Sequence, residues 1–267
     1  HGQSIYIQSM VGYGPLANFY AEQGFVVIQP THVNSKVAGI DTDAPGAPLF
    51  WRSRVQDKSL ILDSLMEIEA SVSVIAGRLD HSNVAAIGHS LGGQTVGMLL
   101  GSRLTDPKDA DATDVNLIEP RSKVGVLLGA PGLGGSDLSE FAQENYSCLN
   151  PDFAHMTTQA MVVIGDSDEA KHLTTRGADW YKDPFRYGPG VDTLLTLIGG
   201  KHGFGGISGY DAKETADEDP NRLAIVQRMT WAYLHSSFFE HSNAWGEACA
   251  GLKEFANSIA YVDRKQT

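Results

Sequence analysis

A chain of 267 residues that is 42% hydrophobic is long enough for one sizeable core and too apolar to remain disordered. Its formal net charge of −12 argues against nucleic acid and anionic membranes as partners, and no apolar run is long enough for a membrane span. With no internal repeat, heptad pattern, low-complexity tract or linker, residues 1–267 are expected to form a single α/β domain.

In chain order, residues 16–23 read as a short helix closed by Gly24, and residues 25–28 as a buried strand ahead of Pro30. Ile61, Leu65 and Ile68 recur at i, i+4, i+7, which predicts an amphipathic helix over residues 54–69 packed on the sheet. Residues 84–87, 124–128, 160–164 and 193–198 are short apolar runs of the kind that buried parallel strands show. Ile225, Met229 and Ala232 repeat the helical spacing in a helix that starts near Pro220. The connections 31–51 and 131–158 are long, and long connections in compact domains are often functional, so the second is read as a cap or pocket segment. Phe50, Trp51 and Phe204, with Phe141, Tyr146 and Phe153, are candidates for lining an apolar substrate pocket, covering the core being the alternative role.

The run 84–87 breaks into Gly88-His89-Ser90-Leu91-Gly92-Gly93 and then into the helix-compatible stretch 94–100. Strand, sharp turn and helix around G-x-S-x-G form the context of a nucleophile elbow, where glycines allow a strained bend and the serine hydroxyl stands above the sheet. Ser90 is therefore the expected nucleophile. A serine hydroxyl needs a histidine base oriented by an acid, and on such a scaffold the acid and then the histidine follow at the ends of later strands. The run 193–198 ends in Gly199-Gly200-Lys201-His202-Gly203, which makes His202 the expected base. The run 160–164 ends in Gly165-Asp166-Ser167-Asp168, where Asp168 is the expected acid and Asp166 a loop-turning residue. Asp137, after the run 124–128, is the alternative acid.

His89 belongs to the elbow and is expected to pack beside the nucleophile. His32, His81, His155, His172, His235 and His241 lack a strand-end setting and are read as surface or hydrogen-bonded structural residues. No two histidines flank a glutamate at i, i+4, and no metal site or cofactor is expected. Cys148 and Cys249 either bridge or stay as two thiols. Asn145-Tyr146-Ser147 is a glycosylation sequon with meaning only in a secreted eukaryotic protein.

His1-Gly2, Gly88-His89-Ser90-Leu91-Gly92-Gly93, Gly165-Asp166-Ser167-Asp168 and Lys201-His202-Gly203 together resemble the α/β-hydrolase superfamily. Within it the chain is similar to the chlorophyllase and dienelactone-hydrolase-like branch, related to cutinase-type polyesterases; Arg78-Leu79-Asp80 before the elbow strand fits that branch. The resemblance implies an α/β-hydrolase fold, a mostly parallel central sheet flanked by helices. It implies an oxyanion hole from the backbone amides of Gln3, after His1-Gly2, and Leu91, after the nucleophile. Plant chlorophyllases usually carry arginine where Leu91 stands, and dienelactone hydrolases use a cysteine nucleophile, so neither of those activities is implied. In this fold a central strand precedes the His-Gly pair, so an apolar strand immediately before His1, and further strands upstream, are expected.

The expected activity is that of a serine esterase that cleaves small-molecule or polymeric carboxylic esters through an acyl-enzyme. An acyltransferase or perhydrolase with the same triad, and a catalytically silent binding protein of this fold, are the alternatives.

Overall fold

The structure, a computed structural model, describes residues 12–33, 35, 46–209 and 217–265. In chain order the strands are β1 (Val84–His89), β2 (Arg103–Leu104), β3 (Ser122–Leu128), β4 (Pro151–Asp152), β5 (Gln159–Gly165), β6 (Val191–Leu197) and β7 (Ala260–Arg264). The helices are α1 (Gly14–Glu22), α2 (Trp51–Asp63), α3 (Leu65–Ser71), α4 (Leu91–Leu99), α5 (Glu140–Asn145), α6 (Asp183–Tyr187), α7 (Pro220–Phe238) and α8 (Ala244–Phe255). The main sheet runs β1-β3-β5-β6-β7, with its first four strands parallel and β7 antiparallel to β6. It is a mostly parallel sheet flanked by helices on both faces.

The apolar runs account for this arrangement. In β3 and β5 nearly every residue is buried, as a parallel strand covered on both faces requires. Alternate side chains go to opposite layers. Leu127, Val162, Ile164 and Leu194 meet α2, α4 and the aromatic pair Trp180 and Tyr181. Val126, Leu128, Val163 and Leu195 meet α1, α7 and α8. The start of α7 is well specified, because the Asp219 side chain accepts from the Asn221 and Arg222 amides and Pro220 occupies the first turn. Met229 and Ala232 are buried in it, whereas Ile225 is half-buried.

Two expectations are corrected. Residues 25–28 form no strand, and Val26, Val27 and Ile28 are 43%, 37% and 40% exposed. An apolar run becomes a strand only beside a neighbour, and among the described residues none pairs with it and β1 is the edge of the sheet. The single helix over 54–69 is two, α2 and α3, parted at Ser64. The buried side chains of α2 are Trp51, Arg54 and Val55, where it crosses α4, while Ile61, Leu65 and Ile68 are only half-buried. Cys148 and Cys249 are free, and they sit in the two layers on opposite sides of the sheet. The 131–158 connection is partly ordered into a short 3-10 turn, α5 and β4, the last paired antiparallel with β2. Among the described residues no helix is long and apolar enough to cross a membrane.

Candidate active site

Ser90 joins β1 to α4 with φ 55° and ψ −123°, a conformation that costs a side-chain-bearing residue about 1–3 kcal/mol. Its amide donates to the Leu128 carbonyl at 2.8 Å, and its own carbonyl accepts from Gly93 at 2.8 Å. The bend closes only because residue 88 is glycine, since a Cβ there would lie 2.0 Å from the Gly92 carbonyl oxygen. Leu91 opens α4, and its amide donates to no acceptor among the described residues, leaving a donor at the positive end of the helix dipole.

The ends of β5 and β6 are tied together. Asp166 Oδ1 accepts the Gly199 amide at 2.7 Å, and the Ser167 amide donates to the Gly200 carbonyl at 2.9 Å. That tie carries His202 to Asp168, whose Oδ2 stands 2.6 Å from His202 Nδ1. Asp168 is buried, while the His202 side chain is 37% exposed. Gly129 follows the residue that holds the Ser90 amide and lies under the imidazole. A Cβ there would sit 3.2 Å from His202 Cε1. The ends of four strands, β1, β3, β5 and β6, thus converge on one spot. The Ser90 hydroxyl makes no hydrogen bond among the described residues; such bonds are often loose until substrate binds.

Aromatic rings enclose the histidine. His89 stacks at 4.6 Å and Tyr181 at 5.7 Å from the His202 ring, centroid to centroid. Burial, and then the Asp168 carboxylate beside it, raise the Tyr181 hydroxyl far above the usual range for a phenol. Phe204 is fully buried against His89 and belongs to the core. Trp51 is likewise buried, and Phe50 is the half-buried residue that precedes α2, with φ 48°. Gln3 lies outside the described residues. Asp137 pairs with Arg176 at 2.8 Å and makes no contact with His202. His32, His81 and His235 are hydrogen-bonded to Asp57, Glu69 and Ser242, while His155, His172 and His241 are exposed.

Two features have no motif in the sequence. Arg54 is buried; its Nε donates to Thr95 Oγ1 at 3.5 Å, and Thr95 donates to the Leu91 carbonyl at 3.1 Å. Burial lowers the Arg54 pKa to about 10, and this chain braces the first turn of α4. The 131–158 connection is anchored beside the site. Gln94 on α4 donates to the Cys148 carbonyl at 2.8 Å, and the buried Asp183 accepts the Leu133 amide at 3.0 Å and both terminal nitrogens of Arg176.

No family model matches the chain, and no curated protein matches it. Among solved structures it is similar to a puromycin hydrolase, at 16% identity over 66% of this chain and 25% of that one, with a TM-score of 0.37. It is similar to the Pyrococcus horikoshii acylaminoacyl peptidase at 11% identity over 68% and 27% of the two chains, with a TM-score of 0.40. A truncated carbohydrate esterase from gut microbiota gives 12% identity over 68% and 67%, with a TM-score of 0.40. The chain therefore spans about a quarter of the length of the first two. At these identities and TM-scores the likeness carries no argument about what the chain does.

Proposed function

We propose that the chain is a serine hydrolase of the α/β-hydrolase superfamily that cleaves carboxylic esters through an acyl-enzyme. The observation that carries this reading is the 2.6 Å contact between His202 and a buried Asp168, assembled at the strand ends beside Ser90 in its strained turn. With Nδ1 of His202 engaged by Asp168, Nε2 is the nitrogen left to take a proton. Ser90 Oγ attacks the ester carbonyl, its proton passes to Nε2, and the Asp168 carboxylate stabilises the imidazolium. The Leu91 amide, with that of Gln3 as the resemblance implies, donates to the oxyanion. Collapse expels the alcohol, which takes the proton from His202. Water then attacks the acyl-enzyme by the same route and releases the acid. The 131–158 segment, anchored to α4 through Gln94, is assigned to the rim of the acyl site.

A fluorophosphonate probe followed by peptide mass analysis tests the nucleophile, and p-nitrophenyl esters of increasing acyl length test the reaction. Labelling at Ser90 with ester turnover is the expected result. A folded protein that neither labels nor turns over any of these esters would overturn the reading in favour of a binding protein.

A further inference from the structure

We infer that His89 is a positioning residue for His202, held by Tyr13 in the tautomer that carries its proton on Nε2. His89 Nε2 lies 2.8 Å from the backbone carbonyl oxygen of His202, and Tyr13 Oη lies 2.7 Å from His89 Nδ1. A carbonyl oxygen only accepts, so the proton of that bond is on Nε2. In a neutral imidazole Nδ1 then carries a lone pair, and the Tyr13 hydroxyl donates to it. Both bonds are sheltered, since Tyr13 and His89 are 8% and 9% exposed.

The bond matters because of where its ends lie. His89 shares a peptide bond with Ser90, so a hydrogen bond to the main chain of His202 ties the residue that attacks to the residue that takes its proton. Lys201 and His202 are also held elsewhere: Asp217 Oδ2 accepts the Lys201 amide at 2.7 Å, the Phe204 amide donates to the Lys201 carbonyl at 3.2 Å, and Asp168 holds the His202 ring at 2.6 Å. Asp217 and Asp168 fix the start of the turn and the ring. Among the described residues His89 alone bonds to the His202 carbonyl, and through it sets the turn's distance from Ser90.

This inference rests on the reading of His202 as the general base, and its tests separate the two. His89→Leu removes both bonds and is expected to lower kcat for a p-nitrophenyl ester about 10- to 100-fold, the cost of a misplacement of about 1 Å, with KM little changed. His89→Gln keeps a side-chain donor and an acceptor and is expected to recover most of that loss. Tyr13→Phe deletes one hydroxyl and is expected to lower kcat several-fold, with the fold retained and a melting temperature lower by a few degrees, since it removes a buried hydrogen bond. Imidazole nitrogen-15 NMR of the unsubstituted protein, with His89→Gln assigning the signal, is expected to show His89 protonated on Nε2. A folded His89→Leu protein with unchanged kcat, or a ring protonated on Nδ1, overturns the inference. Turnover that survives His202→Ala overturns the reading beneath it instead.

Discussion

Asp168→Asn is the substitution that tests the site most sharply. The carboxylate oxygen lies 2.6 Å from His202 Nδ1 and Asp168 is 3% exposed, so bulk water screens the pair poorly. Placing the imidazolium and carboxylate charges about 4 Å apart at an effective dielectric of about 20 gives an attraction of roughly 4 kcal/mol. In the proposed mechanism that attraction exists only while His202 holds the proton taken from Ser90, so it lowers the barrier rather than the ground state. At about 1.4 kcal/mol per tenfold, its loss predicts a kcat lower by about a thousandfold. Asparagine adds a second penalty. Its amide donates to Nδ1 and favours the tautomer with the proton on Nε2, the nitrogen that must accept, which brings the expected loss nearer ten-thousandfold. Asp137→Asn, whose partner is Arg176, is expected to stay within a few-fold of the unsubstituted protein. The assay is steady-state hydrolysis of a p-nitrophenyl ester, with circular dichroism to show that both variants fold. An active Asp168→Asn beside an inactive Asp137→Asn would falsify the acid assignment.

Ser90→Ala and Ser90→Gly are both expected to abolish turnover. The glycine variant should be the more stable by about 1 kcal/mol, a melting temperature higher by roughly 2–4 °C, because only glycine relaxes at φ 55°; equal melting temperatures would remove the strain argument. Gly88→Ala places a Cβ 2.0 Å from backbone and is expected to cost about 3 kcal/mol or more, read as a lost or much lower thermal transition. Glu119 is held at about 2, below its ordinary 4.5, chiefly by hydrogen bonds from Arg121. Because the folded value is the lower one, its stabilisation is complete above the unfolded pKa and fades as pH falls from about 4.5 toward 2. Allowing for the exposed Arg121, that is about 1 kcal/mol. Glu119→Gln should therefore narrow the stability difference between pH 6 and pH 3 in urea titrations, and an unchanged difference would refute the pairing.

What could be read from the sequence divides along the range of the interactions involved. The turn at Ser90 is local: Gly88, Ser90 and Gly92 follow an apolar run and precede a helix, and the strain is resolved within that turn. His202 and Asp168 are nearly as local, since each is recognised by its offset from the end of its own strand. Residues 25–28 fail for the opposite reason. Their composition suits a strand, but pairing is decided by a neighbour elsewhere in the chain, and exposed Val26, Val27 and Ile28 show that composition is not sufficient. The stripe of Ile61, Leu65 and Ile68 fails likewise, because spacing says which side chains share a face and not what covers it.

The contacts around the site lie beyond any local pattern. Arg54 meets Thr95 across 41 positions, and Tyr13 meets His89 across 76. His89, the residue before Ser90, is the clearest case. In the sequence it is one letter of the elbow, and packing is all that its position implies. Its work depends on which ring nitrogen carries the proton, and that is decided by a tyrosine hydroxyl on one side and a carbonyl 113 positions away on the other. A substitution there would leave the G-x-S-x-G pattern intact while cutting the hydrogen bond that ties the residue before Ser90 to the main chain of His202. The motif can therefore report a sharp strand-to-helix turn at Ser90 without reporting how the turn that carries His202 is held beside it.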